Sequence, residues 1–183
     1  MKNLKFIALL VIPVIFSTSC SNEDTPVNEE EVITTVTTTL VGGGQTITLT
    51  SRDLDGDGPN APVVTPSGNL AANTTYSGAV TFLNETQTPA GDITVEVEEE
   101  GVDHQVFYQL AAALGTITYT DLDLNGKPIG LTFTLTTGNA GTGNLTVTLR
   151  HLPNKSASGV ASGDITNAGG ATDALVTYPV TVN

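Results

Sequence analysis

The stretch Leu131-Thr132-Phe133-Thr134-Leu135-Thr136 alternates apolar and hydroxyl side chains without a break. A period of two puts Leu131, Phe133 and Leu135 on one side of a pleated strand and the threonines on the other. The same rhythm returns in Leu145, Val147 and Leu149 against Thr146, Thr148 and Arg150, and in Ile47 and Leu49 among Thr46, Thr48 and Thr50. It returns again in Ile93, Val95 and Val97 among Asp92, Thr94, Glu96 and Glu98. Threonine is β-branched and stiff, which suits a half-wet pleated surface.

Working outward, residues 32–41, 76–83, 106–110, 116–120 and 174–182 are further strand candidates. Residues 105–114 also place Val106, Leu110 and Leu114 at helical spacing, whereas the run Val106-Phe107-Tyr108 favours a strand. Turn chemistry separates the candidates: Gly42-Gly43-Gly44, Asp57-Gly58-Pro59, Pro89-Ala90-Gly91, Asn125-Gly126 and Gly169-Gly170. About nine short strands at such spacing predict an all-β fold, a single antiparallel β-sandwich of the immunoglobulin-like, Greek-key kind. Pro179 inside the last candidate predicts an edge strand or a bulge there.

Ahead of this domain, residues 32–183, lie two segments of different character. Residues 1–19 read as a lipoprotein signal peptide: Lys2 and Lys5, then the apolar run Phe6 to Phe16, then Ser17-Thr18-Ser19. The apolar run is too short to span a bilayer as a helix. Cys20, the sole cysteine, occupies the position of a lipobox cysteine that takes a lipid on its thiol. Residues 20–31 then form a tether of acidic and polar side chains that burial cannot order. The expected location is the outer membrane, held by lipid at its cell-surface or periplasmic face.

Charge narrows the partners. All nineteen acidic residues lie beyond residue 19 and two of the six basic ones lie before it, so the mature chain carries −15 against −13 for the whole. That balance works against nucleic acid, whose phosphates need Lys and Arg. Tryptophan is absent and aromatics make up 5%, which disfavours a sugar-binding surface built on rings.

Three constellations are candidates for ion binding. Asp53-Leu54-Asp55-Gly56-Asp57-Gly58 matches the opening of a calcium loop, with oxygen ligands at alternate positions and glycine at the sixth. Its twelfth position is Val64, so calcium held by Asp53, Asp55 and Asp57 would need ligands from elsewhere. A fainter calcium echo is Asp121, Asp123 and Asn125, whose rival reading is a hairpin with a tight turn at Asn125-Gly126. The third is a zinc-type set: His104 with Asp103 and Glu98, joined by His151 if their strands are neighbours. No nucleophile elbow, zinc helix or phosphate loop occurs. Carboxylate-based hydrolysis is the enzymatic alternative left by so acidic a chain.

These segments together resemble a family of small Bacteroidota lipoproteins. The residues that carry the likeness are the lipobox and tether, residues 53–62, Asn73-Thr74-Thr75-Tyr76, Leu83-Asn84-Glu85, residues 104–108, Pro128-Ile129-Gly130-Leu131, Thr148-Leu149-Arg150-His151 and residues 168–173. Members often carry the label "type 1 periplasmic binding fold superfamily protein". That label implies a large two-lobed α/β binder, which two-residue periodicity without βαβ units does not build. The resemblance implies an accessory lipoprotein working beside a TonB-dependent outer-membrane receptor or transporter, in metal uptake, and it brings no catalytic residues. The reading is therefore a non-enzymatic, lipid-anchored binding or accessory lipoprotein stabilised by calcium, with metal capture as the alternative.

Overall fold

Alternation becomes strand almost everywhere it occurs. The computed structural model describes residues 31–56 and 58–183, so the expected signal peptide, Cys20, the expected tether before Glu31, and Asp57 lie outside the described residues. In chain order the elements are β1 (Thr35–Gly42), β2 (Gln45–Arg52), β3 (Val63–Pro66), β4 (Thr75–Asn84) and β5 (Gly91–Asp92). Then come α1 (Ile93–Glu99), β6 (His104–Leu110), β7 (Gly115–Tyr119), β8 (Thr132–Thr137), β9 (Gly141–His151) and β10 (Ala171–Val182). One antiparallel sheet runs β3-β2-β1-β4-β8-β7 with β5 added beside β4, and a second runs β10-β9-β6. β1 and β2 are joined by Gly43-Gly44, both at positive φ (+57° and +76°), the backbone that a two-residue hairpin turn of matching twist requires.

Both sheets contribute to one hydrophobic core. Leu40, Ile47, Leu49, Tyr76, Phe82, Phe133 and Leu135 come from the larger sheet; Val106, Leu145, Val147, Leu149 and Tyr178 come from the smaller. Each such side chain contributes roughly 1.5–3 kcal/mol when fully withdrawn from water. The Tyr178 hydroxyl, buried at 0% exposure, donates to the Val36 carbonyl at 2.8 Å and so ties β10 to β1. β10 is the outer strand of its sheet, a position that tolerates the missing N–H of Pro179.

β6 does not alternate because it is buried on both faces. Val106 and Tyr108 enter the main core, whereas Phe107 packs with Val160 and Ala168 in a second cluster beneath residues 152–170. Gln105 on the same side donates to the Val160 carbonyl at 2.9 Å. A strand covered on both faces reads as a continuous apolar run, and the strand reading of residues 106–110 is the one the chain adopts.

The expected strand at residues 92–98 is instead the helix α1, so the fold is mostly β rather than all-β. Asp92 supplies the cap, its Oδ1 accepting from the Thr94 amide at 3.1 Å. Ile93 and Val97, one helical turn apart, are both buried, while Val95 is 48% exposed. Thr94 is decisive: its hydroxyl accepts from the Phe82 amide at 2.9 Å and lies 3.2 Å from the Phe82 carbonyl, to which it can donate. One side chain thus satisfies the edge of β4 that another strand would have paired. Burial at i, i+4 outweighs the β preference of four β-branched residues.

Candidate metal centre

The acidic loop after β2 is shaped by Asp55. Its Oδ2 accepts from the Asn60 side-chain amide at 2.7 Å and from the Asn60 backbone amide at 3.3 Å. Its carbonyl accepts from Gly58 at 2.9 Å. The Asn60 amide lowers the pKa of this carboxyl. Asp53 is fixed through its own amide, which donates to the Thr34 carbonyl at 2.7 Å, and its buried Oδ1 has no hydrogen-bond partner among the described residues. Between this loop and β2–β3 runs a groove of about 640 Å³ lined by Thr48, Thr50, Leu54, Val63 and Thr65.

The Asp121–Asn125 echo is occupied by the protein's own donors. Asp121 accepts from the amides of Gly130 (2.8 Å) and Thr132 (3.0 Å). Asp123 Oδ1 accepts from the amides of Asn125 and Lys127 at 2.8 and 2.9 Å, an Asx-type turn closed at Gly126. Asp123 Oδ2 accepts from Lys155 Nζ at 2.9 Å. That ammonium, on a side chain 6% exposed, also donates to the carbonyls of Pro128 (2.9 Å) and Gly101. A lysine therefore stands where a calcium ion would sit in this turn.

Burial opposes the charge on Asp123, yet the Lys127 amide and the Lys155 ammonium outweigh it and hold its pKa below the usual carboxylate value. A carboxyl depressed on folding adds stability above the unfolded pKa and loses it as pH falls through the folded one. Stability should therefore drop below about pH 4, and Asp123→Asn should flatten that part of a melt-against-pH curve. An unchanged slope in the variant would show that other carboxyls control acid unfolding.

The histidines meet. β6 and β9 pair with His104 opposite His151, and the two rings stack with centroids 4.7 Å apart and planes 11° from parallel. His104 is 1% exposed. Its Nδ1 lies 3.2 Å from the Glu100 carbonyl, an acceptor only, so the bond places the proton on Nδ1 and leaves the Nε2 lone pair free to ligate. Nε2 is 3.8 Å from Glu31 Oε1 and 3.9 Å from Asp173 Oδ2. Asp173 reaches this place because it is the extra residue of a β-bulge in β10, where the register against β9 shifts between Thr172 and Ala174. Bulges re-aim side chains in this way.

Ligand atoms of His104, His151 and Asp173 fall within 4.8 Å of one another, as do those of Glu31, Glu100 and His104. Two atoms each ~2.1 Å from one ion lie ~3.4 Å apart at the tetrahedral angle and ~4.2 Å apart when opposite. The 3.8 and 3.9 Å spacings fall between these limits. Burial lowers the pKa of His104, which favours the neutral, ligating ring. Burial, with the charges of Asp173, Glu96 and Glu100, pushes Glu31 up to about 7. Crowded carboxylates beside a neutral imidazole are an arrangement whose repulsion a divalent cation would relieve.

The expected zinc set is only half assembled. His104 and His151 come together, but Asp103 and Glu98 are not in either group of converging ligand atoms. Asp103 shapes the turn into β6, its amide donating to the Glu100 carbonyl and its carbonyl accepting from Leu152. Glu98 is displaced because residues 93–99 are helical: Glu96 and Glu100, four apart, share a face, and Glu98 lies on another. The acidic run that includes Glu100 is legible beside His104 in the sequence, whereas the approach of Glu31 and Asp173, and of Lys155 to Asp123, is not. For Lys155 the legible hint is scarcity, since it is one of only four basic residues beyond residue 19.

Comparison with known proteins adds no relative. No family model, curated protein or solved structure matches the chain. Among the described residues no helix is long and apolar enough to cross a membrane.

Proposed function

We propose that this is a non-enzymatic, lipid-anchored accessory lipoprotein of the outer membrane that captures a divalent, zinc-type metal ion for a neighbouring receptor or transporter. The observation that carries the reading is the buried His104 Nε2 facing Glu31 and Asp173 while its ring stacks on His151. Imidazole and carboxylate together suit zinc-type ions, whereas calcium asks for six to eight oxygens. The Glu100 carbonyl on Nδ1 is the outer partner that fixes the ring of a metal-bound histidine. The leader, Cys20 and the acidic tether support the location, and more than one acyl chain on Cys20 would hold the protein stably. An immunoglobulin-like, Greek-key sandwich is the finer fold proposed. It is supported by the shared core of the two sheets and by the out-of-sequence neighbours β4–β8 and β6–β9.

The test is zinc titration of the chelator-stripped chain extracted from membranes. One ion per chain is expected, with a gain of about 2.7 kcal/mol at a hundredfold excess over Kd. His104→Ala should weaken binding by more than about a hundredfold, since loss of an outer partner alone weakens it ten- to a hundredfold. Undiminished zinc binding in that variant would end the metal-capture reading.

A further inference from the structure

Resting on the metal-capture reading, we infer that Glu31 is an exchangeable ligand that joins the site beside His104, so that a bound zinc-type ion clamps the root of the tether onto the domain. His104, His151 and Asp173 sit on β6, β9 and β10, three neighbouring strands of one sheet. Glu31 does not belong to that framework. It lies four residues before β1, and the first backbone hydrogen bonds among the described residues come only at Thr34: its amide donates to Leu83 and its carbonyl accepts from Asp53.

Its side chain is nonetheless drawn in, 15% exposed, with Oε1 3.8 Å from His104 Nε2. Val32, the next residue, is 55% exposed, so the carboxylate and not the following apolar side chain is the group that enters the site. His104 belongs to both groups of converging ligand atoms, whereas Glu31 converges with His104 and Glu100 and is not in the group of His151 and Asp173. An ion held on the strands through His104 gains Glu31 only when that side chain swings further in, so the ion stays bound while this ligand comes and goes.

Two consequences follow. Release of the ion is limited by how firmly Glu31 stays seated. In turn, the ion fixes the direction in which the chain leaves the domain toward residues 21–30.

The experiment uses the whole chain in detergent, loaded with zinc and challenged with a chromophoric chelator, comparing wild type, Glu31→Gln and His104→Ala. Hydrogen exchange at Val32 and Ile33 is followed with and without zinc. Glu31→Gln should still bind one zinc but release it about ten- to a hundredfold faster. Zinc should slow exchange at Val32 and Ile33 in the wild type and leave it unchanged in Glu31→Gln. Release at the wild-type rate from Glu31→Gln, with zinc binding lost in His104→Ala, would overturn the clamp and leave metal capture standing. Zinc binding retained in His104→Ala would overturn both.

Discussion

Lys155→Met should be the most damaging single substitution outside the apolar core, lowering stability by about 3–5 kcal/mol. The ammonium donates to Asp123 Oδ2 and to the carbonyls of Pro128 and Gly101 from a position 6% exposed, and the Asp123 side chain is 1% exposed. Methionine fills a similar volume but donates nothing, so a buried carboxylate and two buried carbonyls lose their partner together. Removing one partner of a buried pair is costly because the other charge stays behind. The melting temperature should fall by roughly 6–20 °C for a chain of this size. Asp123→Asn placed in the Lys155→Met background should recover part of the loss, since the two substitutions act on one network. A loss below about 1 kcal/mol would mean that water reaches the Lys155 pocket in the folded protein.

The second large effect is expected at Gly78 on β4. Its cross-strand partner is Phe133 on β8, and a Cβ built on Gly78 would lie 2.3 Å from the Phe133 ring. Phe133 is 1% exposed at the centre of the core, so the ring covers the bare backbone of the neighbouring strand and has no slack to retreat. Gly78→Val must expel it, and the expected loss approaches that of truncating the ring, about 3–5 kcal/mol. The diagnostic measurement is denaturant unfolding of Gly78→Val in the Phe133→Ala background, where the added branches fill the space left by the ring. The second substitution should then be nearly neutral or stabilising. Additive losses would show that the strand rejects any side chain at position 78 for backbone reasons.

Much of the sheet framework was legible in the sequence, and for one physical reason. Residues 131–136 and 46–50 each bury one face and wet the other, so a period of two survives in the text, and residues 145–150 keep that period although Thr148 on the hydroxyl face is itself buried. Where that condition fails the reading weakens. β6 is covered on both sides and leaves only an apolar run, and α1 is built of β-branched residues that spell a strand. In α1 the tertiary demands of Ile93, Val97 and the Thr94 hydroxyl prevail over local preference. The candidate site was legible to the extent that strand parity could pair His104 with His151. Of its carboxylates only Glu100 was, in the acidic run before His104: Asp173 arrives through a bulge, which breaks parity, and Glu31 arrives from outside the strands altogether. The acidic turn at Asp121–Asn125 looked like an ion site because a lysine far along the chain supplies the cation.

The hydroxyl of Tyr178 on the carbonyl of Val36 joins residues 142 positions apart, and the same closing strand carries Asp173 into the candidate metal site. Contacts of such long range form late, because the entropy of closing the loop must be met before they stabilise anything. A nascent chain can pair β1 with β2 through the glycine turn early, yet it holds neither a finished core nor the full candidate ligand set until β10 has emerged. On the metal-capture reading proposed above, an ion would therefore act on the last step of assembly, favouring chains already closed over those still open.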